Sequence, residues 1–206
     1  MKLFYSPGAC SFAPHIALHE AGIPFEAVKV DLRAHKLADG TDYYTVNPKG
    51  YVPLLELDDG TRLSEAAVIL QYIADRKPGT LAPEYGKPER YRLMEWLNFV
   101  SSEIHKQFSP LWYPDTHETT KQSQKSKLAK RFAYLDSILA KQPYLMGQTF
   151  TIADAYLHTI LNWSNALKVD LSPFPALVEY QKRIAARPAV TKAHNAEHTT
   201  KSAAAD

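Results

Sequence analysis

The chain has 206 residues, 45% of them hydrophobic, with 24 Lys and Arg against 22 Asp and Glu for a formal net charge of +2. That length accommodates one large domain or two small ones, and the near-neutral balance provides no basic field of the kind nucleic acid requires. No apolar run reaches the ~18 residues needed to cross a bilayer, so neither a nucleic-acid nor a membrane partner is expected.

The first strand is predicted at Leu3-Phe4-Tyr5, a short apolar run closed by the turn formers Ser6-Pro7-Gly8. Because Pro7-Gly8 interrupts the start before any long apolar stretch, no secretion signal is expected. Residues 11–21 read as a helix stopped by Gly22, with Pro14 tolerated in its first turn. The stretch "FEAVKVD" alternates like a half-buried strand. After a connection, "YVPLLELDDGTRLSEA" reads as a hairpin, with strands at 53–57 and 61–63 around Asp58-Asp59-Gly60. Ser64 then caps a helix carrying Val68, Ile69, Tyr72 and Ile73. This β-α-β, β-β-α order suggests a thioredoxin-like sheet.

Residues 75–90 hold three prolines and two glycines and read as an interdomain linker. Beyond it, apolar residues recur at helical spacing: Leu93, Trp96, Leu97, Val100, Ile104; Leu128, Phe132, Leu135, Leu139; Ile152, Tyr156, Ile160, Trp163; Leu177, Tyr180, Ile184. They predict an all-α domain of four or five helices. In "FTIADAY", Thr151 and Asp154 have the spacing of a capping box. Residues 195–206 are polar and small and read as a frayed tail.

Cys10 is the single cysteine, so no internal disulfide forms, and the scattered histidines suggest no metal ligand set. A cytoplasmic protein without metal or cofactor is expected. Cys10 falls where the first strand hands over to the first helix. A helix N-terminus favours an anion, so its thiol is expected to titrate below the ordinary ~8.5; the plain alternative is a small buried hydrophobe. Ser11 is placed either to donate to the sulfur or to cap the helix. Val52, before Pro53, offers an open strand edge to an extended peptide if their peptide bond is cis. Glu65 puts a carboxylate beside the free amides of Glu65 and Ala66, a pairing suited to a free amino-acid end, although a surface carboxylate at a helix start also serves the dipole alone. A thiol position, a strand edge and an amino-acid-head position together describe a small peptide with sulfur at its middle.

The stretches "MKLFYSPGACS", "NPKGYVPLLELDDG", "LSEAAVILQYIAD", "EWLNFVSSEIHKQFSPL" and "GQTFTIADAYL" resemble the cytosolic glutathione S-transferases, specifically the bacterial beta class, from Met1 to about Pro188. The resemblance implies an α+β fold: a thioredoxin-like glutathione-binding domain over 1–80, then an all-α domain over 87–206 bearing the hydrophobic co-substrate site. It implies a homodimer that binds glutathione as co-substrate and joins its thiolate to a hydrophobic electrophile, with further thiol/redox chemistry through Cys10. A non-catalytic or regulatory glutathione binder is the alternative. By resemblance the catalytic residues are Cys10 and His105. Glutathione contacts are Cys10, His35, Val52, Pro53 (cis), Glu65, Ala66, Asn98, Ser102, Glu103, Ile104 and His105, some of them from the partner subunit. Glu103 and His105 also read as part of a solvated helix face. Phe108, Trp112 and Tyr113 are candidates for the co-substrate pocket, or for core. His35 stands where the family usually shows Lys, which implies weaker glutathione binding that strengthens as pH falls through the range where histidine titrates.

Overall fold

The computed structural model describes residues 1–198. Strand β1 (Lys2–Tyr5) is followed by helix α1 (Phe12–Ala21), β2 (Glu26–Asp31), β3 (Lys36–Leu37), α2 (Tyr43–Val46), β4 (Leu54–Glu56), β5 (Arg62–Ser64) and α3 (Ala66–Asp75). The five strands form one sheet in the order β3-β2-β1-β4-β5, with β1 parallel to β2 and antiparallel to β4. β1 runs through the middle because Leu3, Phe4 and Tyr5 are all buried, and strand alternation sends them to opposite faces. Leu3 and Tyr5 join the main core with Ile16, Ile69 and Ile73 of α1 and α3. Phe4 joins a smaller cluster with Val30, Tyr43, Val52 and Leu54. α1 ends as predicted: Gly22 takes φ 64, the left-handed conformation that costs glycine least, and its N–H returns to His19 and Leu18 carbonyls.

The hairpin at 58–60 matches the prediction, with Leu55 opposite Leu63. The connection between β2 and β4 carries two elements the pattern did not suggest, β3 and α2, tied by the Tyr43 N–H to the His35 carbonyl at 2.8 Å. Helix α3 starts at Ala66 rather than at a Ser64 cap. Ser64 ends β5, and Glu65 occupies the cap position without a side-chain capping bond.

The second half is helical: α4 (Pro88–Phe99), a π-helical turn (Val100–His105), α5 (Lys106–Phe108), a 3₁₀ turn (Ser109–Trp112), α6 (Glu118–Leu139), α7 (Ile152–Leu161), α8 (Trp163–Ala166), α9 (Pro175–Ala185) and α10 (Pro188–His198). α7 is buried along its whole length and packs against α1 and α3, so it is the spine between sheet and helices. Residues 195–198, expected to fray, instead form the end of α10, with Glu197 buried; the rest of that expected tail lies outside the described residues. Among the described residues no helix is long and apolar enough to cross a membrane.

Arg90 of α4 joins the two halves. Its guanidinium is buried and holds Asp75, at the end of α3, through 2.8 and 3.1 Å contacts, and also reaches the Pro83 carbonyl. Removing one side of a buried pair strands the other charge. Asp75 is half exposed and water recovers part of that loss. Arg90→Ala is therefore expected to cost about 2 kcal/mol in urea unfolding; a change under about 0.5 kcal/mol, the scale of an ordinary surface substitution, contradicts the role.

Candidate functional site

Cys10 sits in the loop between β1 and α1, as the sequence suggests. Trp163 Nε1 donates to the Gly8 carbonyl at 2.8 Å, while the Gly8 N–H donates to Glu197 Oε2 at 3.2 Å. The other Glu197 oxygen meets His15 Nδ1 at 2.9 Å. Two helices of the second half thus fix the loop that carries the thiol. Ser11, fully buried, neither donates to the sulfur nor caps α1. Its hydroxyl accepts from the Ser6 N–H and faces the Ser6 carbonyl, closing the turn on itself.

The thiol donates to the Val52 carbonyl at 3.3 Å. Burial pushes Cys10 up to about 12, against the expected lowering. The backbone N–H groups of Cys10 and Ser11 favour the anion, as a helix start should, but burial outweighs them and the Glu65 carboxylate adds to the rise. In the free chain Cys10 is a neutral hydrogen-bond donor. The Val52–Pro53 bond is cis and both residues are buried.

Glu65 takes φ 70, ψ 117, a conformation that is strained for a residue with a Cβ. Its exposed carboxylate meets Lys49 Nζ at 3.0 Å, and the same ammonium reaches Ser64 Oγ at 3.1 Å. Sequence reasoning missed Lys49, whose place in "NPKG" gave no sign of this pairing. Ala66 is buried at the start of α3, whose first amides have no partner within the helix. His35, with φ 50, stacks on Tyr44 at 4.6 Å, and its Nδ1 is buried without a hydrogen-bond partner.

The helical half adds a wall of rings. His105 Nδ1 lies 2.8 Å from the Tyr156 hydroxyl, and the His105 ring packs edge-on to Trp163 at 4.9 Å. Burial holds His105 down to about 4, with Lys106 opposing protonation and Glu65 favouring it, so it is neutral near pH 7. This partly buried, paired ring is not a member of a solvated face. Tyr156 and Trp163, read from the sequence as core stripe residues, are the ones that hold His105 and the Cys10 loop. Trp112 and Tyr113 are largely exposed, and Trp112 packs on Trp163 at 5.6 Å. Phe108 is corrected from pocket to core: it is fully buried between Phe132 and Trp163 and has no surface for a ligand. The side chain of Ile104 is likewise core.

Asn98, Ser102 and Glu103 engage other partners in this chain. Asn98 donates to the Met94 carbonyl, Ser102 to the Asn98 carbonyl, and Glu103 pairs with Arg131 of α6 at 2.6 Å. A cavity of about 470 Å³ is lined by Gly8, Phe12, His158 and Glu197, and its wall includes none of Cys10, Val52 and Glu65. Cys10, Val52 and Glu65 therefore lie outside this cavity.

Residues 8–76 match the family described as glutathione S-transferase, N-terminal domain, and residues 94–188 the family described as glutathione S-transferase, C-terminal domain. "Glutathione S-transferase GstA" of Escherichia coli O157:H7 is 47% identical over 199 residues, covering 96% of this chain and 98% of that protein. Among solved structures, a sphingomonad glutathione S-transferase complexed with glutathione superposes with a TM-score of 0.92 at 48% identity, covering 96% of this chain and 98% of that one. The bacterial beta class glutathione S-transferase of Sphingomonas chungbukensis gives 0.92 at 47%, covering 96% and 99%.

Proposed function

The chain belongs to the glutathione S-transferase family and its bacterial beta class, and on that premise we propose that it binds glutathione across the Cys10–Val52–Glu65 corner and transfers its thiolate to hydrophobic electrophiles. The observation that carries this reading is the convergence of a thiol donor on the Val52 carbonyl, a cis Val52–Pro53 bond and a strained Glu65 beside a helix start. The peptide adds as a strand at Val52. Its γ-glutamyl ammonium takes the Glu65 carboxylate in place of Lys49, and its carboxylate meets the Glu65 and Ala66 amides. His35 serves the glycine end. In the chemical step a bond forms between glutathione sulfur and the electrophilic carbon. The electron pair ends on the leaving group or the acceptor oxygen, and the thiol proton goes to solvent. The Cys10 S–H and the helix-end amides stabilise the sulfur anion beforehand, and holding the two reactants together supplies much of the rate.

The test is the glutathione-dependent rate on a panel of aryl halides, enones and epoxides, with binding followed by calorimetry. Saturable turnover is expected. Binding with no turnover on any of them hands the chain to the non-catalytic alternative. Glu65→Gln removes the charge facing the ammonium while keeping the fold, and is expected to weaken glutathione binding at least tenfold, about 1.4 kcal/mol; unchanged affinity removes Glu65 from the site.

A second chemistry is favoured by the placement of the one thiol at this corner. If Cys10 ionises when the tripeptide is bound, it attacks oxidised glutathione, forming a Cys10–glutathione disulfide and releasing one glutathione thiolate. Intact mass after exposure to oxidised glutathione reads it directly as one added glutathionyl group, lost in Cys10→Ala. The domain limits 1–80 and 87–206 and a cytoplasmic location belong to the same proposal. So does a homodimer: exposed Tyr51, Val68 and Tyr91 supply apolar surface of the kind an interface covers, and light scattering is expected to give twice the 23.2 kDa chain mass, a mass of 23.2 kDa overturning it.

A further inference from the structure

Ser101 and His105 lie four residues apart on the π-helical turn, where the Lys106 N–H reaches back five residues to the Ser101 carbonyl. Such turns are rare and are found disproportionately at functional sites. From this turn His105 Nδ1 meets the Tyr156 hydroxyl of α7 at 2.8 Å. Tyr156 is buried, and both Cys10 and Glu65 lie within electrostatic reach of it.

The phenol has one proton to give. Two arrangements satisfy the pair. In one, Tyr156 donates to His105 Nδ1, which leaves the imidazole proton on Nε2. In the other, His105 Nδ1–H donates to Tyr156, and Nε2 keeps a lone pair. A phenol is a much stronger donor than a neutral imidazole N–H, and an imidazole lone pair a much better acceptor than a phenol oxygen. The first arrangement therefore pairs the strongest donor with the strongest acceptor.

We propose that Tyr156 is a positioning residue: its hydroxyl fixes the His105 proton on Nε2, so that His105 acts as a hydrogen-bond donor to the anion held at the Cys10–Glu65 corner and not as a base. This deepens the glutathione reading, which supplies the identity of the anion. The tautomer itself does not depend on that reading.

The decisive measurement is a long-range proton–nitrogen correlation spectrum of the ¹⁵N-histidine-labelled full chain at pH 7.5. His105 is identified among the eight histidines by the signal lost in His105→Gln. A pyridine-type Nδ1 with a protonated Nε2 is expected. A proton on Nδ1, or a doubly protonated ring, overturns the proposal with no variant needed. Tyr156→Phe is expected to give a mixture of tautomers and to lower kcat about tenfold, with KM for glutathione within about twofold. An unchanged tautomer in that variant also overturns the proposal. Should Tyr156→Phe fail to fold, the wild-type spectrum alone decides: a proton on Nδ1 overturns the proposal and a proton on Nε2 supports it. A wild-type chain with the Nε2–H tautomer but no conjugating activity defeats the transferase reading and leaves the tautomer assignment standing.

Discussion

Asp154→Ala is expected to destabilise the fold by about 3–5 kcal/mol, because four donors converge on one buried carboxylate. Oδ1 accepts from the Leu145 N–H at 2.9 Å and the Tyr180 hydroxyl at 3.1 Å, and Oδ2 from the Thr151 N–H at 2.8 Å and the Thr151 hydroxyl at 3.0 Å. The predicted capping box is therefore one arm of a larger knot that also anchors the 145 loop and α9. Alanine strands two buried backbone N–H groups, whereas the two hydroxyls can turn elsewhere. Asp154→Asn is expected to be nearly as damaging at neutral pH, since its amide puts a donor against a donor. Urea unfolding followed by far-UV circular dichroism measures both, and a loss under about 1 kcal/mol for alanine contradicts the account.

The same carboxyl predicts a pH dependence. Burial pushes Asp154 up from 3.8 to about 6, the four hydrogen bonds only partly offsetting it. An acid whose folded value is raised binds its proton more tightly in the native state, so its contribution is largest below about 4. It declines as pH rises toward 6 and is flat above. The decline is on the order of 3 kcal/mol for a shift of about two units. Asp154→Asn, which cannot titrate, should lack this slope; an equal slope in variant and wild type assigns it to other groups.

The elements held by local pattern were legible. Apolar alternation places β1, β2 and the hairpin within a residue or two, and Gly22 and Thr151 mark helix ends at which the chain does turn. β3 and α2 were not legible because they are two and four residues long and are held by partners outside themselves, such as the Tyr43 N–H on the His35 carbonyl. Tyr156 and Trp163 show why a buried hydrogen-bonding ring is hard to read: its helical spacing is that of a core stripe, and only the three-dimensional placement shows its polar atom aimed at His105 or Gly8. Glu65 was read as a first-turn residue behind a Ser64 cap, whereas its backbone turns left-handed between β5 and α3, a conformation no residue type announces when the residue is not glycine. The π-helical turn at 100–105 interrupts an apolar spacing that is ordinary for an α-helix, so nothing in the residue pattern marks it.

Cys10 carries the sharpest disagreement between pattern and structure, and its reactivity should show it. With the thiol near 12 rather than the ordinary ~8.5, its thiolate population at neutral pH is lower by about three and a half decades. The anion that does form is more basic and more nucleophilic, which returns roughly one and a half decades. Iodoacetamide should therefore modify Cys10 in the ligand-free chain about a hundredfold more slowly than an unperturbed thiol. The rate should climb about tenfold per pH unit from pH 6 to 10 without levelling, because the pH stays below the thiol's own value throughout. A plateau before pH 9, read by intact mass against time, means that the helix-end amides win over burial and restores the low-pKa thiol expected from the sequence. The two outcomes assign Cys10 different work. A neutral thiol serves as a donor to the glutathione sulfur, so Cys10→Ser, which keeps an O–H there, should retain most of the conjugation rate. A thiolate serves as a nucleophile, and serine, which is not ionised near neutral pH, should then abolish the thiol-disulfide exchange that depends on it.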